Sequence, residues 1–252
     1  MARQESLTQF TGSIGNIIFY KSIDGYLARK KGGIEASRIR SEPAFARTRE
    51  NNAEFRTAAR ATKLIRRAFA SLLQGTSDTR MTGRLNGAMV KVIRADAVNS
   101  RGERNVMDGD VSLLQGFDFN KKAKLGTTFH APFTTAIDRA AGTFTVDIPA
   151  FLPADMIQAP EGATHFRLKA GAAAMDFGKQ DFVATPSESA DLPLTNPQGP
   201  LQFNIAVTPG STNPLLLVFG IEFMQVLNGV EYQLVDRAYN AMAVVRADGI
   251  SG

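Results

Sequence analysis

Residues 10–33 read FTGSIGNIIFYKSIDGYLARKKGG, and the rest of the chain is organised around this stretch. Two β-rich runs, Ile14–Lys21 and Tyr26–Lys30, flank the four residues Ser22-Ile23-Asp24-Gly25. The Asp-Gly step supplies the positive φ that a tight hairpin needs. Gly12 and Gly15 give the entrance unusual backbone freedom, and Gly32-Gly33 form a flexible exit after Arg29-Lys30-Lys31. Ile17, Ile18, Phe19 and Tyr20 place apolar side chains on both faces of the first run. A two-stranded hairpin is at best marginally stable alone in water. The reading therefore demands a partner surface, either the rest of this chain or another copy of it, with Ile14, Ile17, Ile18, Phe19, Tyr20 and Tyr26 as the candidate assembly residues.

Outward from the hairpin, Met1–Gln9 reads as a short arm and Ile34–Arg40 as a polar connector. Ser41-Glu42-Pro43 has the form of a helix start, with Ser41 as N-cap and Pro43 in the first turn. The helix either breaks at Asn51-Asn52 or continues to Gln74. Phe55, Ala59, Thr62, Leu64, Ala68, Phe69 and Leu72 recur at helical spacing. Gly75 suits the residue after a helix end. A second helix is expected over Thr79–Val98 with Met81, Leu85, Met89, Val92 and Ile93 as its apolar stripe. Gly83 and Gly87 lower its intrinsic helicity, which suggests close packing against the first helix in an αα-hairpin. Asn99–Met107 is a polar loop, and Asp108–Gln115 a short capped helix closed by Gly116.

From Phe117 onward the pattern is β. Strands are expected over Thr127–Pro132, Thr143–Ile148, Thr164–Met175, Asp181–Ala184, Leu201–Thr208, Leu215–Gln225 and Ala241–Ala247. In Thr143–Ile148, Phe144, Val146 and Ile148 alternate with polar residues, the signature of a half-buried strand. Gly171–Ala174 permits close sheet packing or a bulge. Asn228-Gly229 is the strongest turn signal in the chain and pairs Phe219–Leu227 with Val230–Val235. The fold class follows: α+β, an N-terminal β-hairpin and an α-helical hairpin followed by an immunoglobulin- or fibronectin-III-like antiparallel β-sandwich. Three parts are expected, namely 1–33 (arm and hairpin), 34–120 (basic and helical) and 121–252 (sandwich).

Composition limits what the chain does. It has 252 residues, 44% of them hydrophobic, and no cysteine, so disulfides and thiolate metal sites are excluded. No run approaches the ~20 apolar residues of a membrane span, and no signal-peptide pattern opens the chain. A cytoplasmic protein, or a component of a released particle, is the corresponding expectation. Charge divides the sequence: residues 1–126 carry 23 Lys and Arg against 12 Asp and Glu, whereas 127–252 carry 6 against 12. Opposite halves attract each other between copies, or the basic half meets nucleic acid.

The segments GSIGNIIFYKSIDGYLARKKGG, ARTRENNAEF and EFMQVLNGVEYQLVDRAYNAMAVVRA resemble a family of uncharacterised proteins common in Bacteroidota genomes. The resemblance implies a helical N-terminal half joined to a sandwich and brings no activity with it.

Candidate chemistry is sparse. His130 and His165 fall on expected strands without clustered ligands. Gly12-Ser13-Ile14-Gly15 lacks the Lys-Ser/Thr ending of a phosphate loop. Asp108-Gly109-Asp110 reads as a turn and helix cap, because the later ligands of a calcium loop are missing. Glu222 and Glu231 either approach across the Asn-Gly hairpin as a carboxylate pair or occupy its solvent face. No Ser, Lys or Tyr has an activating neighbour. The chain reads as a non-enzymatic structural protein that self-assembles through its hairpin into an oligomer, filament or virion-like particle, with no cofactor, metal or small-molecule substrate. The alternative is a nucleic-acid-associated protein. Arg29, Lys30, Lys31, Arg38 and Arg40 are its candidate phosphate contacts, interleaved with Glu35 and Glu42.

Overall fold

The computed structural model describes residues 2–5, 8–234 and 237–249 of the chain. They fall into two compact units, Met1–Arg49 and Glu50–Gly252, and the protein is α+β with antiparallel sheets throughout. Val235, the expected end of the strand after Asn228-Gly229, lies outside the described residues.

The first unit holds a four-stranded sheet of β1 (Ala2–Arg3), β2 (Gly12–Ile14), β3 (Ile17–Ser22) and β4 (Gly25–Lys30), in the order β1-β4-β3-β2. The hairpin is present: Ser22 pairs with Gly25, Gly25 has φ 103°, and the Ser22 hydroxyl accepts the Asp24 N–H at 3.1 Å. The run expected as one strand, Ile14–Lys21, is divided. Gly15 adopts φ 56°, turning the chain so that Ile14 of β2 pairs with Ile17 of β3. After the sheet come α1 (Ala36–Ser41), a 3₁₀ turn over Pro43–Phe45, and the start of α2 (Ala46–Ala68). Ser41 therefore ends a helix instead of capping one, and its hydroxyl donates to the Ser37 carbonyl at 3.0 Å. No described residue of 2–49 is buried.

In the second unit α2 runs without a break through Asn51-Asn52 and is followed by α3 (Ala70–Leu73) and α4 (Met81–Arg94). Asp110 accepts the Ser112 N–H and caps a 3₁₀ turn, Val111–Leu114. Residues expected as a strand at 127–132 instead contain the end of a one-turn helix, α5 (Leu125–Thr128), with Phe129 bridging to Ile157. The first strand of this region is β5 (Thr134–Asp138). Then come β6 (Thr143–Ile148), α6 (Pro153–Met156), β7 (His165–Asp176), β8 (Asp181–Glu188), β9 (Leu192–Pro193), β10 (Leu201–Ala206), β11 (Leu215–Leu227), β12 (Val230–Gln233) and β13 (Ala241–Asp248). Strands β10-β6-β5 form one sheet, and β12-β11-β7-β8 with β13 and β9 form the other.

The larger sheet is a middle layer. One face, carrying Phe166, Leu168, Leu217, Phe219 and Ile221, shares a core with Phe144, Val146, Phe203 and Ile205 of the smaller sheet. Its other face, carrying Ala173, Met175, Leu216, Val218 and Met242, shares a second core with Leu64, Ile65 and Leu72 from α2 and α3 and with Leu85, Met89 and Ile93 from α4. Burial on both sides explains why residues 215–224 read LLLVFGIEFM rather than alternating. Gly171 lets the helical layer close on the sheet, since a Cβ there would collide with Leu72. The change of charge near residue 120 is accordingly no packing boundary, because helices and strands of 50–252 bury their apolar faces in each other.

The helix phase differs from expectation. Phe55 is 60% exposed, while Glu54 is buried and accepts the Gly102 N–H at 3.1 Å, with Arg104 at 4.0 Å. Gly83 and Gly87 are exposed, and a Cβ at either would meet nothing within 4 Å, so close helix packing is not their role.

Candidate functional site

The pairing register divides the N-terminal sheet into two apolar faces. Ile14, Ile17, Phe19 and Tyr26 lie on one, with Lys21, Ala28 and Lys30; Ile18, Tyr20 and Leu27 lie on the other, with Arg3 and Arg29. Cross-strand neighbours share a face and successive residues alternate, so the six candidate assembly residues split four and two. Ile14 is 63% exposed and Ile17 44%. Phe10 comes onto the first face, its ring centroid 5.9 Å from that of Phe19.

The five candidate phosphate contacts do not converge. Arg29 and Lys30 are on opposite faces, and the Arg29 guanidinium stacks 5.5 Å from the Tyr20 ring centroid. Arg38 is engaged by Glu42 one helical turn on, with Nη2–Oε2 at 3.1 Å, which raises its pKa further. Lys31 donates its backbone N–H to the Asn16 carbonyl, and Arg40 follows Arg38 in α1.

A second polar constellation lies on the helix-facing side of the larger sheet, and the sequence pattern did not foretell it. Lys169 of β7 and Glu222 of β11 are each 6% exposed and form an ion pair, with Glu188 3.6 Å from the Lys169 amine. Beside them Arg167 contacts Asp191 at 2.6 Å, Glu231 at 3.0 Å and Glu188 at 3.8 Å. Desolvation pulls the Arg167 pKa down, but Asp191 and then Glu231 outweigh it and hold the group above its usual value. Glu222 is thus neither on a solvent face nor paired with Glu231: each carboxylate answers a cation on β7.

The remaining candidates resolve into local structure. His130 is exposed, and His165 Nδ1 lies 2.9 Å from the Thr164 hydroxyl. Asp108 accepts from the side-chain amides of Asn99 and Asn105. Among the described residues no group of three or more His, Asp or Glu has the geometry to hold a metal ion, and no helix is long and apolar enough to cross a membrane. A cleft of about 470 Å³ is lined by Phe133, Ile148, Pro149, Pro200 and Leu201 together with Thr134, Asp147 and Gln202, and the Gln202 amide donates to Asp147.

The loop after α4 is pinned by Asp96, 1% exposed, which accepts from the N–H groups of Val98, Asn99 and Asn105 and from the Asn99 amide. Burial alone would raise its pKa; these hydrogen bonds overcome that and hold it at about 2. A depressed carboxyl pKa stabilises the fold above the unfolded value near ~4 and loses that contribution as pH falls toward 2. Wild type is expected to lose on the order of 1–2 kcal/mol between pH 5 and 2 from this group. Asp96→Asn should be less stable at pH 7 and flatter across that window, measured by urea melts at each pH.

No protein-family model matches the chain, and no curated protein matches it. Among solved structures, a chain from work on pH-induced modulation of Streptococcus parasanguinis adhesion by Fap1 fimbriae is 10% identical. That likeness covers 48% of this chain and 86% of the other, and its TM-score of 0.22 carries no argument.

Proposed function

We propose that the protein is a non-enzymatic structural component whose copies assemble, as an oligomer, filament or particle, through the N-terminal sheet. One observation carries the reading: this four-stranded sheet is apolar on both faces, yet none of its described residues is buried. Small sheets need a hydrophobic face covered to be stable, and exposed apolar side chains in this density mark an interaction surface. The finer reading of the β region as an immunoglobulin- or fibronectin-III-like sandwich belongs to the same proposal. It draws on the two antiparallel sheets facing each other across a shared core. The nucleic-acid reading finds less support, since its five cations are dispersed over two faces and a helix.

Deleting residues 1–33 tests the proposal. Both large cores draw on residues 58–247, so the shortened protein is expected to keep its melting temperature within a few degrees. Light scattering should show the full chain as an assembly and the shortened one as a monomer. A truncated protein of unchanged oligomeric mass would refute the reading. Steep loss of assembly with added salt, together with nucleic acid in the purified material, would favour the alternative.

A further inference from the structure

The self-assembly reading leaves open what the N-terminal sheet docks against. We propose that it docks head to tail on the β11–β12 hairpin of a second copy. This inference rests on that reading and adds the receiving surface.

The receiving strand is β12, Val230–Gln233, which ends the larger sheet. Its turn is tight, with Asn228 at φ 51° and Gly229 at φ 76°, both in the left-handed region that a type I′ hairpin requires. The register sets Leu227 opposite Val230 and Gln225 opposite Tyr232, so Leu227, Val230 and Tyr232 share one face. These three are 50–52% exposed. Natural sheets protect edge strands with proline, lysine or inward charge. At the opposite edge β8 carries Pro186 and is flanked by Asp181 and Glu188; on the smaller sheet β5 turns Thr134, Ala136 and Asp138 outward. Strand β12 has neither proline nor lysine; its one charge, Glu231, is engaged by Arg167 on the helix-facing side, and Val230 and Tyr232 stand exposed on the other.

Charge chooses the occupant. The face behind Val230 and Tyr232 carries Glu231, which pairs with Arg167 beside Asp191 and Glu188, while Lys169 joins Glu188 to Glu222; among the described residues this network sets four carboxylates against two cations. Residues 1–33 carry five cations (Arg3, Lys21, Arg29, Lys30 and Lys31) against two carboxylates, Glu5 and Asp24. The N-terminal sheet and the β11–β12 hairpin therefore both present exposed apolar side chains and oppose in charge, which a second copy satisfies without any other partner. The contact uses different surfaces on the two copies, so it propagates into a ring or a filament instead of closing as a twofold dimer.

Complementation tests the pairing. One variant lacks residues 1–33 but keeps β12; the other keeps the N-terminal sheet but carries Val230→Lys and Tyr232→Lys. Each alone should be monomeric by light scattering, and mixing them should give a one-to-one heterodimer that grows no further. Far-UV circular dichroism checks that the lysine variant is folded. As a second measurement, Ile17→Cys and Tyr232→Cys chains, in a background with no other cysteine, should crosslink to each other under mild oxidation faster than either does to itself. A lysine variant with wild-type assembly mass, or no heterodimer and no preferential crosslink, overturns the inference. If the truncated chain is monomeric in that case, the self-assembly reading still stands. A full-length chain that stays monomeric at all concentrations overturns both.

Discussion

Replacing Phe219 with alanine is expected to lower the free energy of unfolding by about 3–5 kcal/mol. Phe219 is fully buried at the centre of the core between the two sheets. Its ring centroid lies 5.0 Å from that of Phe133, 5.6 Å from Phe129 and 6.1 Å from Phe203, so three rings lose a neighbour when it is removed. Rigid strands surround the site, and the cavity has little means of collapsing. Denaturant melts followed by circular dichroism measure the loss; a change under ~1 kcal/mol would mean that the two sheets do not share this core. Phe55→Ala, removing the same ring from an exposed helix position, should shift the midpoint little.

The second large effect concerns Glu222. Its removal leaves the Lys169 ammonium in an environment only 6% exposed. Breaking a buried pair on one side costs about 3–5 kcal/mol, whereas replacing both charges by apolar groups of similar volume is often nearly neutral. Glu222→Ala should fall toward the lower end of that range, because Glu188 stays 3.6 Å from the amine. Lys169→Met combined with Glu222→Leu should recover most of the stability. Equal losses in the single and double variants would show that the pair is not the source of the effect.

The contrast between these two residues shows what the sequence exposes to reading. Phe219 belongs to an apolar run bounded by turn signals, and strand assignment from such a run is direct. Asn228-Gly229 announced its turn as clearly. Glu222 read as a solvent-facing residue because charged side chains are rarely buried; its partner Lys169 is 53 positions earlier, and only the β7–β11 pairing brings them together. The phase of α2 was misread for a related reason. Its alanines at 58, 59 and 61 discriminate poorly between faces, and Glu54 turns inward only because Gly102 and Arg104 wait there. Of the N-terminal site, the apolar content was legible, but the split of Ile14 from Ile17 by a turn at Gly15 was not.

The helix-backed larger sheet also constrains how the chain is made. Asn240 donates to the Gly75 carbonyl and accepts from the Phe223 N–H, joining positions 165 residues apart. At ordinary elongation rates, the segment containing α2–α4 emerges from the ribosome roughly 10–30 s before β13. During that interval Leu64, Ile65, Leu72, Leu85 and Met89 have no sheet to cover, and their apolar side chains face water or a chaperone. Folding of the second unit therefore waits for its last strand, and a nascent chain stalled before residue 240 should be the species most prone to aggregate.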